Sequence, residues 1–390
     1  MSKGTIVYIG GFELPDKNAA AQRVLANASI FRDLGYNIVF IGTSKIMDET
    51  GIENPQSVNG YRYYNVFYPK SKLDRVRYLT SISLFKLVLN LYKDTKAILC
   101  YNYQACALWK IIRFCKKREI KVIGDTTEWY NPRGNFIYKF IKNLDTSLRM
   151  RILQPQLDGL IPTSNFLYDF YKDKNPNLLI LPALVDLNDN KWNARTEESD
   201  NNIIRFVYAG TTGIGKDELE KALDILSKAK NICKKKISLK IIGMTFEEYC
   251  KAFCVLGVPV DIKNEVVFMG RLSHKQVIKE VTNSDFYIFL RNISIVTSAG
   301  FPTKFSESIS CGTPVITTKT SDLEKYLKEG ENGFFIDIIN QENGIKKMSM
   351  ILNIEQDRIL QMKNYCKESK IMDYTNFIEA TKEFLYKIGV

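Results

Sequence analysis

Residues 299–316 read AGFPTKFSESISCGTPVI. The glycine and proline near the start of this stretch predict a loop that opens a short helix over about 303–311. Gly312 suits the left-handed residue that ends many helices, and Pro314 prevents the helix from continuing into the apolar run at 315–317. The stretch is therefore predicted to form a strand, loop, helix, loop and strand unit.

The start of this predicted helix is suited to an anion. A loop that enters a helix through Gly300 and Pro302 leaves the first backbone N–H groups unpaired at the positive end of the helix dipole, where a phosphate binds well. Glu307 lies about one turn into the helix, and helical side chains lean toward the N-terminus, so its carboxylate can reach back beside this anion. There it would accept hydrogen bonds from sugar or ribose hydroxyls. The alternative is a helix start that Glu307 stabilises without any ligand.

The length and composition are those of a folded protein with more than one domain. At 390 residues the chain exceeds the size at which a single core stops growing, about 250–300 residues. Apolar residues make up 45% of the chain, and no uncharged apolar run is long enough to span a membrane. The first residues read as a strand and not as a signal peptide, so we expect a cytoplasmic protein.

The chain is basic, with a formal charge of +12 and a pI near 9.1. Such a charge favours an anionic partner, which could be a nucleotide, a nucleic acid or an acidic membrane surface. The sequence lacks a zinc finger, an RNA-binding aromatic signature and a long block of basic residues, so we expect no nucleic-acid partner. The eight cysteines form no Cys-x-x-Cys pair and the chain has one histidine. We therefore expect buried thiols and no zinc site.

Apolar strands and helical segments alternate along the chain, which predicts a parallel sheet in each half. The predicted strands lie at 5–9, 37–41, 97–101, 121–124, 159–162 and 178–181 in the first half and at 203–209, 238–242, 266–269 and 286–290 in the second. Residues 186–202 are rich in Asp, Asn and Glu, as linkers are. We expect a first domain at 1–186, a linker at 187–202, a second domain at 203–372 and a terminal helix at 373–390.

Two glycines, Gly10 and Gly11, follow the first predicted strand and precede a helix that carries Arg23. Glycines at this position let the backbone approach a ligand at the carboxyl end of an open sheet. The run lacks Gly-x-Gly-x-x-Gly, so a nicotinamide or flavin cofactor is not expected. The alternative is a tight turn with no role in binding.

A second loop, at 125–134, reads DTTEWYNPRG and directly follows a predicted strand. Asp125 and Glu128 provide hydrogen-bonding groups, and the indole of Trp129 provides an apolar platform beside them. This combination suits a sugar. In the alternative interpretation Asp125 caps a helix and Trp129 is a core residue.

A glycine loop at 210–216 reads GTTGIGK and opens the second predicted domain. Lys216 lies in this loop at a helix start, where a lysine commonly binds phosphate as a point charge. The loop is not a Walker A motif, because Asp217 stands where that motif has Ser or Thr. A solvated Lys216 is the alternative.

The helix predicted over about 135–153 combines basic and apolar residues. Lys139, Lys142, Arg149 and Arg151 interleave with large apolar side chains such as Phe140. Such a helix could lie at an anionic bilayer interface. In the alternative, its apolar stripe is packed into the core and its charges form a solvated rim.

The stretch at 299–316 resembles the donor-binding segment of the family 4 retaining glycosyltransferases, which have the GT-B fold. In that family two glutamates eight positions apart flank a Gly-Phe loop and precede a run like Cys-Gly-Thr-Pro-Val. Glu307 and the run at 311–315 match this pattern, whereas Ala299 stands in place of the first glutamate. Members with a Phe-Pro-Thr-Lys or Phe-Pro-Ser-Lys version of the loop look closer to this chain. The segments at 8–23, 208–217 and 266–272 also resemble the family.

The resemblance implies two Rossmann-like domains with parallel sheets that face each other across a cleft, with the donor mainly on the second domain. It implies transfer of a sugar, with retention, from a UDP- or GDP-sugar to a hydroxyl of a glycan or lipid-linked glycan, in surface-polysaccharide synthesis. The terminal helix would pack back toward the first domain. The enzyme would work in the cytoplasm or at the inner face of the cell membrane, with peripheral contact to anionic lipid. Neither a cofactor nor a metal is expected, because no Asp-x-Asp motif occurs.

The same resemblance assigns roles to individual residues. Those that would stabilise the departing diphosphate or hold the ribose are Glu307, Lys216 and Arg291, the last replacing an arginine that the family has where Thr211 stands here. The donor-binding positions are Gly10, Gly11, Gly210, Thr211, Arg271, Gly300, Phe301, Pro302, Thr303 and Lys304. The acceptor-side positions are Arg23, Asp125, Glu128 and Trp129.

Other functions remain open at this point. A catalytically silent GT-B subunit that binds a glycan or a partner enzyme would explain Ala299. A nucleotide-sugar epimerase or a phosphorylase on the same fold is a further alternative.

Overall fold

The structure is a computed structural model that describes residues 2–130, 134–193, 202–210, 216–233 and 235–390. The chain divides into two compact units. The first unit consists of Met1–Asp186, Ala299–Phe301 and Tyr374–Val390. The second unit consists of Leu187–Ser298 and Pro302–Asp373.

The first unit is built on one sheet of seven strands in the described residues. These strands are β1 (Thr5–Gly10), β2 (Asn37–Ser44), β3 (Gln56–Val58), β4 (Tyr61–Phe67), β5 (Thr95–Tyr101), β6 (Lys121–Thr126) and β7 (Gly159–Pro162). Their order is β3-β4-β2-β1-β5-β6-β7. β1 is apolar and completely buried, as expected for a central strand covered on both faces.

The predicted parallel sheet is confirmed, and β3, for which no strand was predicted, adds an antiparallel pair with β4 at one edge. The reason is the turn between the two strands. Asn59 and Gly60 have φ angles of 48° and 81° and join Val58 directly to its partner Tyr61. Two residues with positive φ form the type I′ turn that matches the twist of a hairpin, and Asn-Gly is its preferred sequence.

Six helices occur in the described part of the first 186 residues. They are α1 (Ala19–Asp33), α2 (Lys72–Thr80), α3 (Ser83–Leu91), α4 (Ala105–Lys116), α5 (Phe136–Leu148) and α6 (Asn165–Tyr171). A π-helical turn, Arg149–Leu153, continues α5. The strand predicted at 178–181 is not regular, because Leu178 forms only an isolated bridge with Leu160.

The second unit is built on a parallel sheet of six strands in the described residues. The strands are β8 (Ile203–Ala209), β9 (Lys236–Ile242), β10 (Val266–Phe268), β11 (Phe286–Phe289), β12 (Val315–Thr317) and β13 (Gly333–Phe335), in the order β10-β9-β8-β11-β12-β13. The helices between these strands are α7 (Leu219–Ile232), α8 (Phe246–Phe253), α9 (His274–Thr282), α10 (Ile295–Ala299), α11 (Thr303–Ser310) and α12 (Leu323–Tyr326), and the helices α13 (Gln341–Leu352) and α14 (Gln356–Ser369) follow β13.

The helix, stop and strand predicted within 303–317 are confirmed, but α10 (Ile295–Ala299) lies between β11 and this helix, where only a loop was predicted. α11 ends at Ser310 with Cys311 as its C-cap, and Gly312 has a φ of 75°, the left-handed conformation expected of a helix stop. The Thr313 N–H donates to the Ser308 carbonyl at 2.9 Å, which closes the end of the helix. β12 then begins at Val315, directly after Pro314.

The last helix, α15 (Ile378–Ile388), lies in the first unit and packs against α1. Phe384 is buried against β7, where Gly159 makes room for it. A Cβ at Gly159 would lie 2.6 Å from the Phe384 ring. Tyr374, just before α15, donates through its hydroxyl to Asp33 Oδ2 at 2.7 Å.

Two exposed thiols contradict the expectation of buried cysteines, because Cys106 and Cys254 lie at the surface. Four others, Cys100, Cys115, Cys311 and Cys366, are buried. Within the described ranges, no helix has both the length and the apolar content needed to cross a membrane.

Lys363 on α14 places its ammonium group against the end of α9 within the second unit. Its Nζ donates to the carbonyl of Thr282 at 3.0 Å and to that of Ser284 at 2.5 Å, at the end of α9. Burial lowers the pKa of Lys363 to about 8, although the nearby Asp285 carboxylate acts in the opposite direction. The protein therefore loses a proton from this site at a lower pH than the unfolded chain does.

We expect this shift to make stability depend on pH. Between about pH 8 and the ordinary lysine pKa near 10.4, the unfolded chain binds more protons, so the free energy of unfolding rises with pH, by up to about 3 kcal/mol. Lys363→Met removes this contribution. Urea denaturation at pH 7.5 and pH 10 measures it, and equal pH dependence in both proteins would contradict the assignment.

Candidate functional site

The start of α11 lies in the second unit. Pro302 is the N-cap residue of α11 and makes no side-chain capping hydrogen bond. The Phe305 N–H donates to the Pro302 carbonyl at 3.1 Å, and this first turn lies at the positive end of the helix dipole. The anion site expected from Gly300 and Pro302 stays a prediction.

A buried carboxylate, Asp217, lies at the centre of the polar groups nearest to this helix start. Its Oδ1 accepts a hydrogen bond from Arg291 Nε at 2.8 Å. Its Oδ2 accepts from the Tyr208 hydroxyl at 2.9 Å and from Lys304 Nζ. Lys304 also lies over the Tyr208 ring, 4.4 Å from its centre. One acid thus holds two cations and a phenol together; these four residues are called the Asp217 cluster below.

The charges of this cluster are strongly coupled. Burial raises the pKa of the Asp217 carboxyl, but the ammonium of Lys304 and the guanidinium of Arg291 together lower it far below its usual range. Burial lowers the pKa of Lys304, and Asp217 opposes this effect. Burial raises the pKa of Tyr208, and the Asp217 carboxylate raises it further. Asp217 is therefore ionised at neutral pH, and Tyr208 is a neutral hydrogen-bond donor.

The sheet order explains how these residues meet. β8 and β11 are neighbours, so their carboxyl ends bring Tyr208 and Arg291 to the same edge of the sheet. Lys304 reaches this edge from the first turn of α11. Gly210 is required for the approach, because a Cβ there would lie 2.5 Å from Lys304 Nζ. Gly243, with a φ of 103°, is required in turn, because its Cβ would lie 2.3 Å from the Gly210 carbonyl oxygen.

Glu307 lies one turn beyond Lys304 on the same helix and is paired with the only histidine of the chain. His274 Nε2 is 3.2 Å from Glu307 Oε1, and both side chains are partly exposed. His274 is the first residue of α9, which packs against α11. The carboxylate is therefore oriented by a ring nitrogen and keeps an oxygen for a ligand.

Tyr287 on β11 fixes the end of β8 beside these groups. Its hydroxyl donates to the Ala209 carbonyl at 2.5 Å and accepts from the Ala209 N–H at 3.0 Å. Burial raises the pKa of Tyr287, and the carboxylates of Glu307 and Asp217 add to this increase. The backbone that leads into Gly210 is thus held by a side chain from the neighbouring strand.

The structure brings together three of the predicted donor-side residues, Arg291, Lys304 and Glu307. Pro302 and Thr303 lie beside them at the start of α11. Lys216 is exposed. The prediction for Thr211 concerns a residue outside the described ranges. Arg271 is exposed and paired with Glu248 Oε1 at 2.8 Å.

Four of the predicted donor-side residues belong to the first unit, and one of them is Gly300, which directly precedes Phe301. Gly10 is the last residue of β1, and a Cβ there would lie 2.7 Å from Tyr101 Cβ, so packing against β5 requires glycine. Gly11 is exposed, and Phe301 is buried. These positions remain predictions as ligand contacts.

Ala299, which stands at the place of the first family glutamate, is a core residue. It is buried in the hydrophobic cluster of the first unit. Its carbonyl accepts from the Ser164 hydroxyl at 2.8 Å. A carboxylate at this position would have to be buried among apolar side chains, which explains why alanine suits this chain.

On the acceptor side, Arg23 and Asp125 bind each other inside the first unit. Arg23 Nη2 donates to Asp125 Oδ1 at 2.7 Å, and its Nε is 3.1 Å from both carboxylate oxygens. Tyr8 donates its hydroxyl to Asp125 Oδ2, and Arg23 Nη1 donates to the carbonyls of Leu181 and Pro182 at 2.9 and 2.8 Å. Asp125 is 0% exposed and Arg23 is 4% exposed. This burial does not agree with the expectation that these two side chains face an acceptor.

Glu128 and Trp129 are partly exposed, unlike Asp125. The Trp129 ring makes edge-to-face contacts with Phe166 and Phe170, with centroids 6.1 and 5.1 Å apart. Burial raises the pKa of Tyr130 to about 12, and the Glu128 carboxylate adds to the increase. Among the predicted acceptor-side residues, these two keep surface for a ligand.

The sequence interpretation missed Asp217, Tyr208 and the role of His274. In the sequence, Asp217 serves only to exclude a Walker A motif. An acid next to a glycine loop could have indicated a counter-ion for nearby cations. His274 gave no signal by spacing, since it is 33 positions from Glu307. Among the described residues, no group of three or more His, Cys, Asp or Glu could hold a metal ion.

We predict that Asp125→Asn destabilises the protein. The change leaves the buried Arg23 guanidinium without its counter-charge, which costs roughly 3 to 5 kcal/mol of the free energy of unfolding. Denaturant titration measures the loss. The control is Glu379→Gln, in an exposed pair with Lys382, which should change stability far less. Similar effects of the two substitutions would contradict a structural role for the Arg23–Asp125 pair.

We also predict that Asp217→Asn leaves two uncompensated cations, Arg291 and Lys304. The loss of the buried counter-charge should cost roughly 3 to 5 kcal/mol of stability. Inorganic phosphate should then bind in place of the carboxylate and raise the melting temperature of the variant more than that of the wild type. Thermal melts with increasing phosphate measure this difference, and a variant whose melting temperature does not rise with phosphate would show that these cations do not form an anion site.

Residues 189–369 match the family model for glycosyl transferases group 1. The sequence has no match among curated proteins. Solved structures similar to the chain include sucrose-phosphate synthase from Thermosynechococcus elongatus, with 13% identity, 98% coverage of each chain and a TM-score of 0.68.

Two further structures share the same architecture. Anabaena HepE, solved with UDP and glucose, is 13% identical with a TM-score of 0.64 and covers 98% of this chain and 99% of its own. The lipopolysaccharide outer core galactosyltransferase WaaB is 14% identical with a TM-score of 0.61 and covers 97% and 99%. The chain therefore has the GT-B fold, and its second half matches the group 1 glycosyl transferases.

Proposed function

We propose that the protein is a retaining glycosyltransferase that moves a sugar from a UDP- or GDP-sugar to a hydroxyl of a glycan or lipid-linked glycan. The observation that carries the proposal is the position of Lys304 and Arg291. Both cations lie at the carboxyl edge of the second sheet, and Lys304 lies in the first turn of α11, one turn from Glu307. This is an arrangement for a diphosphate joined to a polyol.

The cations would act on the leaving group. As the anomeric carbon loses its bond to the diphosphate oxygen and gains one to the acceptor oxygen, negative charge develops on the diphosphate. Lys304, Arg291 and the first amides of α11 would stabilise that charge without a metal ion. Lys216, whose side chain is exposed next to the glycine loop, would add a further positive charge.

Asp217 keeps the two cations in place before the donor arrives. Two positive side chains would otherwise repel each other and turn toward solvent. Because Asp217 binds Arg291 through one oxygen and Lys304 through the other, each cation keeps further donors for phosphate oxygens. Asp217 is thus a positioning residue in this proposal, while Glu307, oriented by His274, would accept hydrogen bonds from the ribose.

The second unit would bind the donor, and the first unit would bind the acceptor through Glu128 and Trp129. HepE, solved with UDP and glucose, and WaaB, a galactosyltransferase of the lipopolysaccharide outer core, support a nucleotide-sugar donor and a role in surface-polysaccharide synthesis. The reaction would take place in the cytoplasm or at the inner face of the membrane.

A second candidate is a catalytically silent GT-B subunit that binds a glycan or a partner enzyme. The buried Ala299 favours it, because the carboxylate that the family has at this place is missing. Nucleotide binding together with sugar transfer would exclude this candidate.

We predict that one nucleoside diphosphate sugar binds the wild type in metal-free buffer and that Glu307→Ala weakens it about 10- to 100-fold. The reason is the loss of charged hydrogen bonds to the ribose. Isothermal calorimetry with UDP, GDP and their glucose conjugates measures the affinities. Glu342→Ala, in an exposed position at the start of α13, is the matched control and should bind normally.

The anomeric configuration of the transferred sugar, read by NMR of the product, tests retention. Binding of none of the nucleotides by the wild type would overturn the donor-site assignment and favour the silent subunit. Product formation without an added acceptor, or only with inorganic phosphate, would favour an epimerase or a phosphorylase.

A further inference from the structure

Helix α5 is oriented with its polar side toward the protein. Asp145 Oδ1 accepts a hydrogen bond from the Ala105 N–H at 2.8 Å, at the start of α4. Thr146 is buried. At the end of the helix the buried Arg149 donates to the Asn102 carbonyl at 2.8 Å. Three polar side chains thus attach α5 to the first unit.

The opposite side of α5 is apolar and faces solvent. Phe136 is 83% exposed and Phe140 is 60% exposed, and Ile141, Leu144 and Leu148 are also exposed. These five residues are called the α5 face. At 100° per residue their spacing places them on one side of the helix. A surface helix of a soluble domain normally packs its apolar side against the core. Because the residues of the α5 face are exposed instead, the alternative in which this stripe packs into the core is wrong.

The apolar surface extends beyond α5. α4 packs against both α2 and α5. Trp109 on α4 and Leu73 and Val76 on α2 are exposed as well. Isolated exposed apolar residues are ordinary, but the five large ones on one side of α5, with further ones on the helices packed beside it, mark an interaction surface.

The charges that α4 and α5 present around this surface have one sign. α4 contains no acidic residue, and the one acid of α5, Asp145, is turned toward the protein. The one acid of α2, Asp74, accepts hydrogen bonds from Ser71 in the capping box of its own helix. Lys139 and Arg151 beside the α5 face are exposed, and the Arg113 guanidinium lies 4.8 Å from the Trp109 ring. Cations that border an apolar helical face, with aromatic rings among them, complement an anionic lipid surface. A typical protein partner surface would instead present charges of both signs.

We propose that the α5 face binds the surface of an anionic lipid bilayer. α5 would lie in the plane of the interface with Phe136 and Phe140 about 5–10 Å deep at the boundary of headgroups and acyl chains. Lys139 and Arg151 would contact lipid phosphates. The proposal does not depend on the donor site, since it uses none of its residues, and it would hold for a silent subunit as well.

Sedimentation with vesicles tests the proposal. The full-length protein should sediment with phosphatidylglycerol vesicles and much less with phosphatidylcholine vesicles. The double variant Phe136→Ser, Phe140→Ser should bind about tenfold or more weakly, because two exposed rings no longer leave water. The double variant Lys139→Gln, Arg151→Gln should lose about fivefold for each charge, and salt should weaken the wild type.

The matched control lies in the second unit, where Leu256 and Val260 are as exposed as Phe136. Leu256→Ser, Val260→Ser should sediment like the wild type, and unchanged melting temperatures show that all variants fold. The absence of sedimentation with anionic vesicles would overturn the proposal. So would self-association of the wild type, seen by analytical ultracentrifugation and abolished by Phe136→Ser, Phe140→Ser, since a second copy would then cover this face.

Discussion

The Asp217 carboxylate, shared by Lys304 and Arg291, is the interaction on which the candidate site depends. Two cations of separate elements, one from a helix start and one from a strand end, meet only because an acid lies between them. The pairing explains several other features. Gly210 has no side chain because Lys304 occupies that space, and Gly243 has none because the Gly210 carbonyl lies against it. Tyr287 holds the backbone that leads into Gly210. The glycines and the tyrosine thus serve one electrostatic contact.

This arrangement relates stability to binding. An ion pair taken out of water contributes little net stability, because desolvation offsets much of the Coulomb attraction. The ion pair matters because it fixes where the two cations lie. Lys304 and Arg291 are held at the edge of the sheet where nucleotides bind in open α/β folds, and they keep donors that Asp217 does not use. The second buried pair, Arg23 and Asp125, differs because its groups are saturated by Tyr8 and by backbone carbonyls. It stabilises the first unit and presents nothing to a ligand.

Helix α5 also has side chains that contact the rest of the first unit and side chains that stay exposed for a partner. Its acid and its arginine contact the protein, and its phenylalanines face water. Amphipathic spacing is identical for a helix that packs its apolar side inward and for one that packs it outward. Only the contacts of Asp145 and Arg149 reveal the orientation. The exposed apolar face is a cost in free energy that a lipid surface would remove.

The sequence by itself determined the elements that depend on local rules. Apolar periodicity predicted most strands, and Gly312 with Pro314 predicted the end of α11, because backbone conformation at these residues is a local property. The Gly-Pro entry and Glu307 predicted an anion site at that helix for the same reason. The Asn59-Gly60 hairpin depends on a local rule as well. Only the tertiary structure decided which charges are neighbours. Asp217 is 74 positions from Arg291 and 87 from Lys304, Arg23 is 102 from Asp125, and His274 is 33 from Glu307. Such pairs depend on the order of strands in a sheet and on what each side chain displaces from water, and neither quantity is a property of any single stretch of the chain.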